Sequence, residues 1–190
     1  DTKKLFESVL NKIFKEAEED KENWKWLRLG DIGKVFAGSS APQDKKYFKN
    51  GKYPFVRVRD LGKYGKTTNL IEVSDYINEE AIKEKSLVKA KKGTIIFPKS
   101  GAAILTNNKG ILGLDAYIVS HLACIECKEN IDNYFIFYML YNLDFKNVVN
   151  NLSYPSLTLK EIKEISIPLP FKNNQPDLEK QKEIVKYLDN

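Results

Sequence analysis

Histidine and cysteine are nearly absent from this 190-residue sequence, which has one His and two Cys. One histidine excludes a multi-histidine metal site and leaves His121 as the single imidazole for acid–base chemistry. Cys124 and Cys127 cannot build a disulfide framework, and such sparing use fits a reducing, cytoplasmic compartment. No apolar run approaches the roughly 20 residues that span a bilayer, so no membrane partner is expected. No signal-peptide pattern opens the chain. It does not begin with Met, so a fragment of a longer protein is expected.

What is present is a foldable, charged chain. Apolar residues make up 42% and charged residues 30%, with a net charge of +5, enough for one domain with one core. The charge is unevenly placed. Residues 1–23 hold 5 basic and 7 acidic side chains, residues 24–110 hold 18 and 8, and residues 111–190 hold 8 and 11, so the middle stretch carries +10. Such asymmetry suits a polyanionic partner; a Lys-rich solvated surface accounts for it equally well.

Leu5, Phe6, Val9, Leu10, Ile13, Phe14 and Ala17 recur at helical spacing, so a helix with one apolar stripe opens the chain. Residues 18–23 form a polar break. Residues 24–36 turn strand-like, and residues 37–52 read as a long loop. Residues 54–61 alternate, with Phe55, Arg57 and Arg59 on one face. Asn78 suits the N-cap of a short helix. Residues 93–97 and 116–127 read as strands, with a loop over 100–113 between them. Residues 132–152 are aromatic and helical. Thr158 and Glu161 form a capping box. Residues 165–169 read as a strand, and a last helix opens at Pro176. The predicted fold class is α/β of mixed α+β type: a globular domain with a twisted mixed sheet between terminal helices.

Few motifs carry chemistry. His121, Cys124 and Cys127 have metal or redox spacing. On a strand, however, positions three apart face opposite sides, and no fourth ligand follows, so buried structural cysteines are the default. Gly65-Lys66-Thr67 is the tail of a phosphate loop, but Asp60 stands where its first glycine belongs. Glu161-Ile162-Lys163 has a nuclease-like triplet without a partner acid. Residues 151–155, Asn-Leu-Ser-Tyr-Pro, lack the tandem proline of amino-methyltransferases. No catalytic residue and no metal site is assigned.

Four polar, basic loops remain. They hold Ser39, Ser40, Gln43, Lys45, Lys46 and Lys49; Arg57, Arg59, Lys63 and Lys66; Lys99, Ser100, Thr106, Asn107, Asn108 and Lys109; and Ser153, Tyr154, Ser156 and Thr158. Arg, Lys, Asn, Gln and hydroxyl groups are the side chains that read phosphates and base edges. Each loop alone could be a solvated connection. Composition does not separate DNA from RNA.

Several segments in order resemble the specificity subunit of type I restriction–modification enzymes. Residues 24–32, Trp-Lys-Trp-Leu-Arg-Leu-Gly-Asp-Ile, are similar to the family's domain opening, and Gly38-Ser39-Ser40-Ala41-Pro42 to the loop after it. Tyr47, Gly51, Pro54-Phe55-Val56 and Asp60-Leu61 follow the next stretch. Lys92-Gly93-Thr94-Ile95-Ile96 resembles a conserved strand entry. Residues 157–170, ending Ile165-Ser166-Ile167-Pro168-Leu169-Pro170, and residues 179–185 resemble the close of the domain and the opening of the second spacer helix. Two departures are Phe171 to Gln175 before Pro176, and Ile111-Leu112-Gly113 where many members have a polar loop.

The resemblance implies one target-recognition domain over residues 23–172, the end of a conserved spacer helix over 1–22, and the start of another over 173–190. It implies the second such domain of a longer subunit, reading half of a bipartite duplex DNA target and catalysing nothing. Methyltransferase subunits using S-adenosylmethionine and an ATP-driven restriction subunit would be partners, so no cofactor is expected in this chain. A recognition domain fused to a methyltransferase–endonuclease is the alternative. Lys45, Lys46, Lys63, Lys66 and Lys109 would meet phosphates. Arg57, Arg59, Gln43, Asn107, Asn108, Ser156 and Tyr154 would meet bases or set register, with Ser39, Ser40, Lys99 and Thr106 on the same surface. Leu5, Val9, Ile13, Ile184 and Leu188 would bind the other half of the subunit and the methyltransferase.

Overall fold

The computed structural model describes residues 2–62 and 67–189. Its elements, in order, are α1 (Thr2–Glu19), β1 (Trp24–Arg28), α2 (Leu29–Ile32), β2 (Gly33–Ala37), β3 (Tyr53–Val56), β4 (Thr67–Leu70), β5 (Asp75–Ile77), α3 (Glu79–Glu84), β6 (Lys89–Ala90), β7 (Ile95–Pro98), β8 (Gly110–Leu112), β9 (Ala116–Ile118), β10 (Leu122–Cys127), α4 (Asn133–Asn142), α5 (Leu159–Glu164), β11 (Ser166–Lys172), β12 (Gln175–Pro176) and α6 (Leu178–Leu188). The strands form three sheets, ordered β2-β10-β7-β8-β4, β5-β3-β9-β6 and β1-β11-β12. Two pairings, β3 with β9 and β4 with β8, are parallel. The class is mixed α/β, as the sequence predicts.

The five-stranded sheet divides two cores. Ile95, Phe97, Ile111, Ala123 and Ile125 face the helical side, where α1, α4, α5 and α6 pack. Ile96, Leu112, Leu122 and Cys124 face the side of the four-stranded sheet. The period of two along a strand sends neighbours to opposite cores, so both faces are apolar and β7 is buried throughout.

Local chemistry sets the helix starts. Asn78 Oδ1 accepts from the Ala81 amide of α3, Asp132 Oδ1 from Phe135 in α4, and Thr158 with Glu161 forms the reciprocal box that opens α5. Gly30 lets α2 lie close to α5, where a β-carbon would stand 3.1 Å from that of Lys163. Pro168 and Pro170 are tolerated in β11 because β12 pairs only with Phe171 and Lys172, and Pro170 meets that side only as an acceptor, from Asp177 N–H at 2.8 Å.

Several expectations need correction. The strand predicted over 54–61 ends at Val56, because Asp60 turns back to accept the Arg57 amide at 2.8 Å. Phe55 is fully buried with the Arg57 guanidinium over its ring, while Arg59 lies in the turn that follows the strand. The loop over 100–113 contains β8. The run 116–127 breaks at residues 119–121, where Leu122 N–H turns back to Val119 O. The helix over 132–152 stops at Asn142, and Asp144 caps a separate short turn. Pro176 lies in β12, and Asp177 is the N-cap of α6.

Candidate nucleic-acid interface

The strand directions gather the polar loops at one end of the five-stranded sheet. β2 and β7 both run antiparallel to β10, so their C-terminal ends meet its start. β8 runs antiparallel to β7 and parallel to β4, which puts the starts of β8 and β4 at the same end. The loops 38–40, 99–109 and 119–121 therefore leave together. β3 arrives there too, since its end pairs with the end of β9 and Val119 N–H bonds Val56 O at 3.1 Å.

Hydrogen bonds stitch these loops into one edge. Ser39 N–H donates to Ile118 O at 2.9 Å, and Ser120 N–H to Ser39 O at 2.8 Å. Gly38 is required here, because a β-carbon would collide with the carbonyl oxygens of Ile118 and Val119. Lys99 N–H donates to His121 O at 2.9 Å, and Ser100 Oγ lies 2.7 Å from His121 Nδ1. The segment 151–158 joins the edge through a Ser100–Ser156 bridge, with Gly101 N–H on Pro155 O at 2.9 Å and Leu157 N–H on Lys99 O at 2.8 Å. Ser39, Ser40, Lys99, Tyr154 and Ser156, far apart in sequence, thus share one edge with Ser100 and His121. Ser39 is a fastener within it, since its hydroxyl accepts from the Val88 amide. The sequence presents His121 as a lone imidazole and a candidate metal or redox residue; its place just after Val119-Ser120, at the start of β10, is what brings it to this edge.

The predicted cations fare differently. Lys46 Nζ pairs with Glu80 at 2.6 Å and Glu84 at 3.3 Å, and the Glu80 hydrogen bond holds its pKa well above the usual lysine value despite the opposing desolvation. Arg57 pairs with Asp75 and lies over the rings of Phe55 and Phe48. Arg59 shares Asp75 at 2.9 Å and also bonds Ser74. A bidentate base contact from Arg57 therefore has to compete with the Asp75 carboxylate. Gln43 donates to Ala41 O at 2.8 Å, within its own loop, and Lys45 is exposed. Lys63 and Lys66 lie outside the described residues, as do Gly65 and Lys66 of the Gly-Lys-Thr tail.

Lys109 is a buried cation, not a surface one. It is 1% exposed, and its ammonium donates to Asn107 Oδ1 at 2.6 Å, Leu143 O at 3.2 Å and Asn107 O at 3.4 Å. It lies over the Phe145 ring. Burial pushes its pKa down to about 7, against the opposing charge of Asp144. Its ammonium is turned inward, away from solvent. Asn107 is equally occupied, holding a left-handed backbone (φ 57°) while Oδ1 also accepts from Phe145 N–H. Thr106 Oγ1 donates to Ala103 O. Asn108 packs against Gly62, whose own φ is 79°. These residues border a cleft of about 550 Å³ between α1 and the end of α4.

The proposed partner stripes are partly consumed by this chain's own core. Ile13, Ile184 and Leu188 are 7–8% exposed and join the helical-side cluster, because α1 and α6 lie against the domain. Leu5 stays exposed and Val9 half-buried. Val9, Ile13, Ile184 and Tyr187 line a groove of about 450 Å³ between the two helices.

The His-Cys-Cys spacing gathers no ligands. His121 is exposed at the start of β10, Cys124 is fully buried, and Cys127 is half-buried near the far end of the strand. Three residues of strand separate the cysteines by roughly 10 Å, and burial pushes both thiols up to about 12. Among the described residues no cluster of His, Cys, Asp and Glu is placed to hold a metal ion, and no helix is long and apolar enough to cross a membrane. Glu161 of the Glu-x-Lys triplet is spent on the capping box.

Residues 21–190 match the profile of a family described as Type I restriction modification DNA specificity domain. The specificity subunit of the type I restriction enzyme MjaIX from Methanocaldococcus jannaschii is 36% identical over 190 residues, covering 96% of this chain and 42% of that protein. The EcoR124I/EcoR124II specificity subunit of Escherichia coli is 25% identical, covering 93% and 41%. The crystal structure of the HsdS subunit from Thermoanaerobacter tengcongensis shares the fold, with a TM-score of 0.71 at 21% identity, over 99% of this chain and 42% of that one. The chain therefore spans about two-fifths of the length of the relatives it matches.

Proposed function

Because the chain belongs to the family of type I restriction modification DNA specificity domains, we propose that it reads one half of a bipartite duplex DNA target and leaves catalysis to its partners. The observation that carries this reading is the single edge formed by Ser39, Ser40, Lys99, Ser100, His121, Tyr154 and Ser156 at the end of the five-stranded sheet. Hydroxyls, an imidazole, an aromatic ring and an ammonium suit base edges and phosphates together. Arg59, in the turn after the end of β3 that arrives at this edge, is an exposed cation held by Asp75.

Residues 1–22 and 173–190 serve as parts of spacer helices. Leu5, exposed on α1, and Val9 and Tyr187 along the α1–α6 groove face the other half of the subunit and the methyltransferase. S-adenosylmethionine and ATP belong to methyltransferase and restriction subunits in a complex that works in the cytoplasm. The specificity-subunit relatives favour a separate subunit over a fused methyltransferase–endonuclease chain.

The test is binding by the full-length subunit reconstituted with methyltransferase subunits. Duplex carrying the methylated sequence should outcompete RNA of equal length. Lys99→Ala should weaken binding to all duplexes alike and reduce the slope of log affinity against log salt by about one. Equal competition by RNA would reject the reading.

A further inference from the structure

Tyr154 and Leu152 are the feature of this edge that hydrogen-bonded base reading leaves unexplained. Tyr154 is 84% exposed and Leu152 59%, an unfavourable display for two large apolar side chains two residues apart. The loop that carries them is fixed. Asn151 Oδ1 accepts from the amides of Ser153 at 2.8 Å and Tyr154 at 3.2 Å, closing a tight Asx turn. Asn150 Nδ2 donates to Glu161 at 3.2 Å, tying the turn to the start of α5. On the other side Pro155 is buried, its carbonyl accepts from Gly101 N–H, and Ser156 bridges Ser100. The two side chains therefore project from a pinned turn beside Lys99, Ser100 and His121.

We propose that Leu152 and Tyr154 form an apolar wedge that inserts at a base step of the bound duplex, unstacking it while the neighbouring polar groups hold the backbone. This rests on the DNA-reading function proposed above and names how that edge engages its target. Size favours a base step over a protein partner. Two side chains on one turn fall far short of the roughly 800 Å² per partner of a stable protein interface, yet they match the gap opened at a single step. Architectural DNA-binding proteins use Leu, Phe, Ile, Met and Pro in this way, with polar residues alongside. A wedge must also resist the stack it opens, and the Asx turn, the buried proline and the Ser100–Ser156 bridge supply that resistance without an ordering cost on binding. An aromatic face tolerates any base, so the wedge selects steps that unstack easily, such as pyrimidine–purine steps, without hydrogen-bonding them.

The test uses the reconstituted complex of full-length specificity and methyltransferase subunits and a duplex containing the sequence methylated in the host. 2-Aminopurine is placed in turn at each position of this half-site except the methylated adenine, which flipping would unstack by itself. Fluorescence should rise several-fold at one step with the wild type. It should fall to the duplex baseline with Tyr154→Ala and be retained with Tyr154→Phe, while Tyr154→Ala weakens binding about tenfold. Bound wild-type complex with flat fluorescence at every position overturns the wedge and leaves the DNA-reading function standing, as does a rise that Tyr154→Ala leaves unchanged. A complex that binds no duplex overturns both.

Discussion

Lys109 sits under the Phe145 ring with three oxygen acceptors around its ammonium, and this environment makes its proton a stability variable. Burial lowers its pKa from 10.5 to about 7. Between those values the unfolded chain binds more protons than the folded one, so this residue's contribution to stability becomes more favourable as pH rises through that window; below about pH 7 both states are protonated and the slope vanishes. Urea denaturation near pH 7 and near pH 9.5 should show wild type gaining stability relative to Lys109→Met across the interval. An identical pH response in the two proteins would contradict the assignment. The sequence offered Lys109 as a phosphate contact because it follows Thr106, Asn107 and Asn108 in a polar loop. What it could not show is that β8 starts one residue later and draws the side chain inward. Asp60 was legible as a motif residue but not as a fastener, since its carboxylate reaches the Arg57 amide and the Ser74 amide at 3.0 Å from different segments.

Among the elements, α5 has the clearest dependence on one side chain. Thr158 Oγ1 accepts from the Glu161 amide at 3.1 Å, while the Glu161 carboxylate accepts from the Thr158 amide at 2.7 Å. Thr158→Ala should cost about 1 kcal/mol, read as a lower urea midpoint with an unchanged slope. Because Glu161 also receives Asn150, the same change should increase protease sensitivity in segment 150–157. This capping box, the Asn78 cap and the stripe of α1 were all visible in sequence, since each is written in residues within one or two helical turns. β8 was not visible: three buried residues in a run of Gly, Asn and Lys carry no alternation. The ends of α4 and β9 were misplaced because apolar residues continue past them. The stops come from Leu143 N–H bonding Leu140 O and from the turn at residues 119–121, neither of which periodicity registers.

For the whole molecule, the uneven charge has a more specific meaning than a basic face. Of the central cations read as DNA contacts, Lys46 is paired with two glutamates, Arg57 and Arg59 share Asp75, and Lys109 lies in the core. Strand direction, not net charge, assembles the candidate edge, because the antiparallel order β2-β10-β7-β8 returns each loop to the same end. The terminal helices were legible as amphipathic, yet the partner of each stripe was not. Folding places Ile13, Ile184 and Leu188 against this domain and leaves Leu5 and the groove beside Val9 and Tyr187 on the surface.

The central claim is that this edge reads one half-site, and mapping methylated adenines tests it most directly. In the genome of a host carrying the full system, Ser40→Ala, Lys99→Ala and Ser156→Ala together should relax the methylated sequence in one half of the target. The other half and the gap between them should stay unchanged, with each substituted contact that reads a base relaxing one position by about 1–3 kcal/mol of discrimination. An unaltered methylation pattern in the triple variant, or equal relaxation of both halves by a folded protein, would contradict the account.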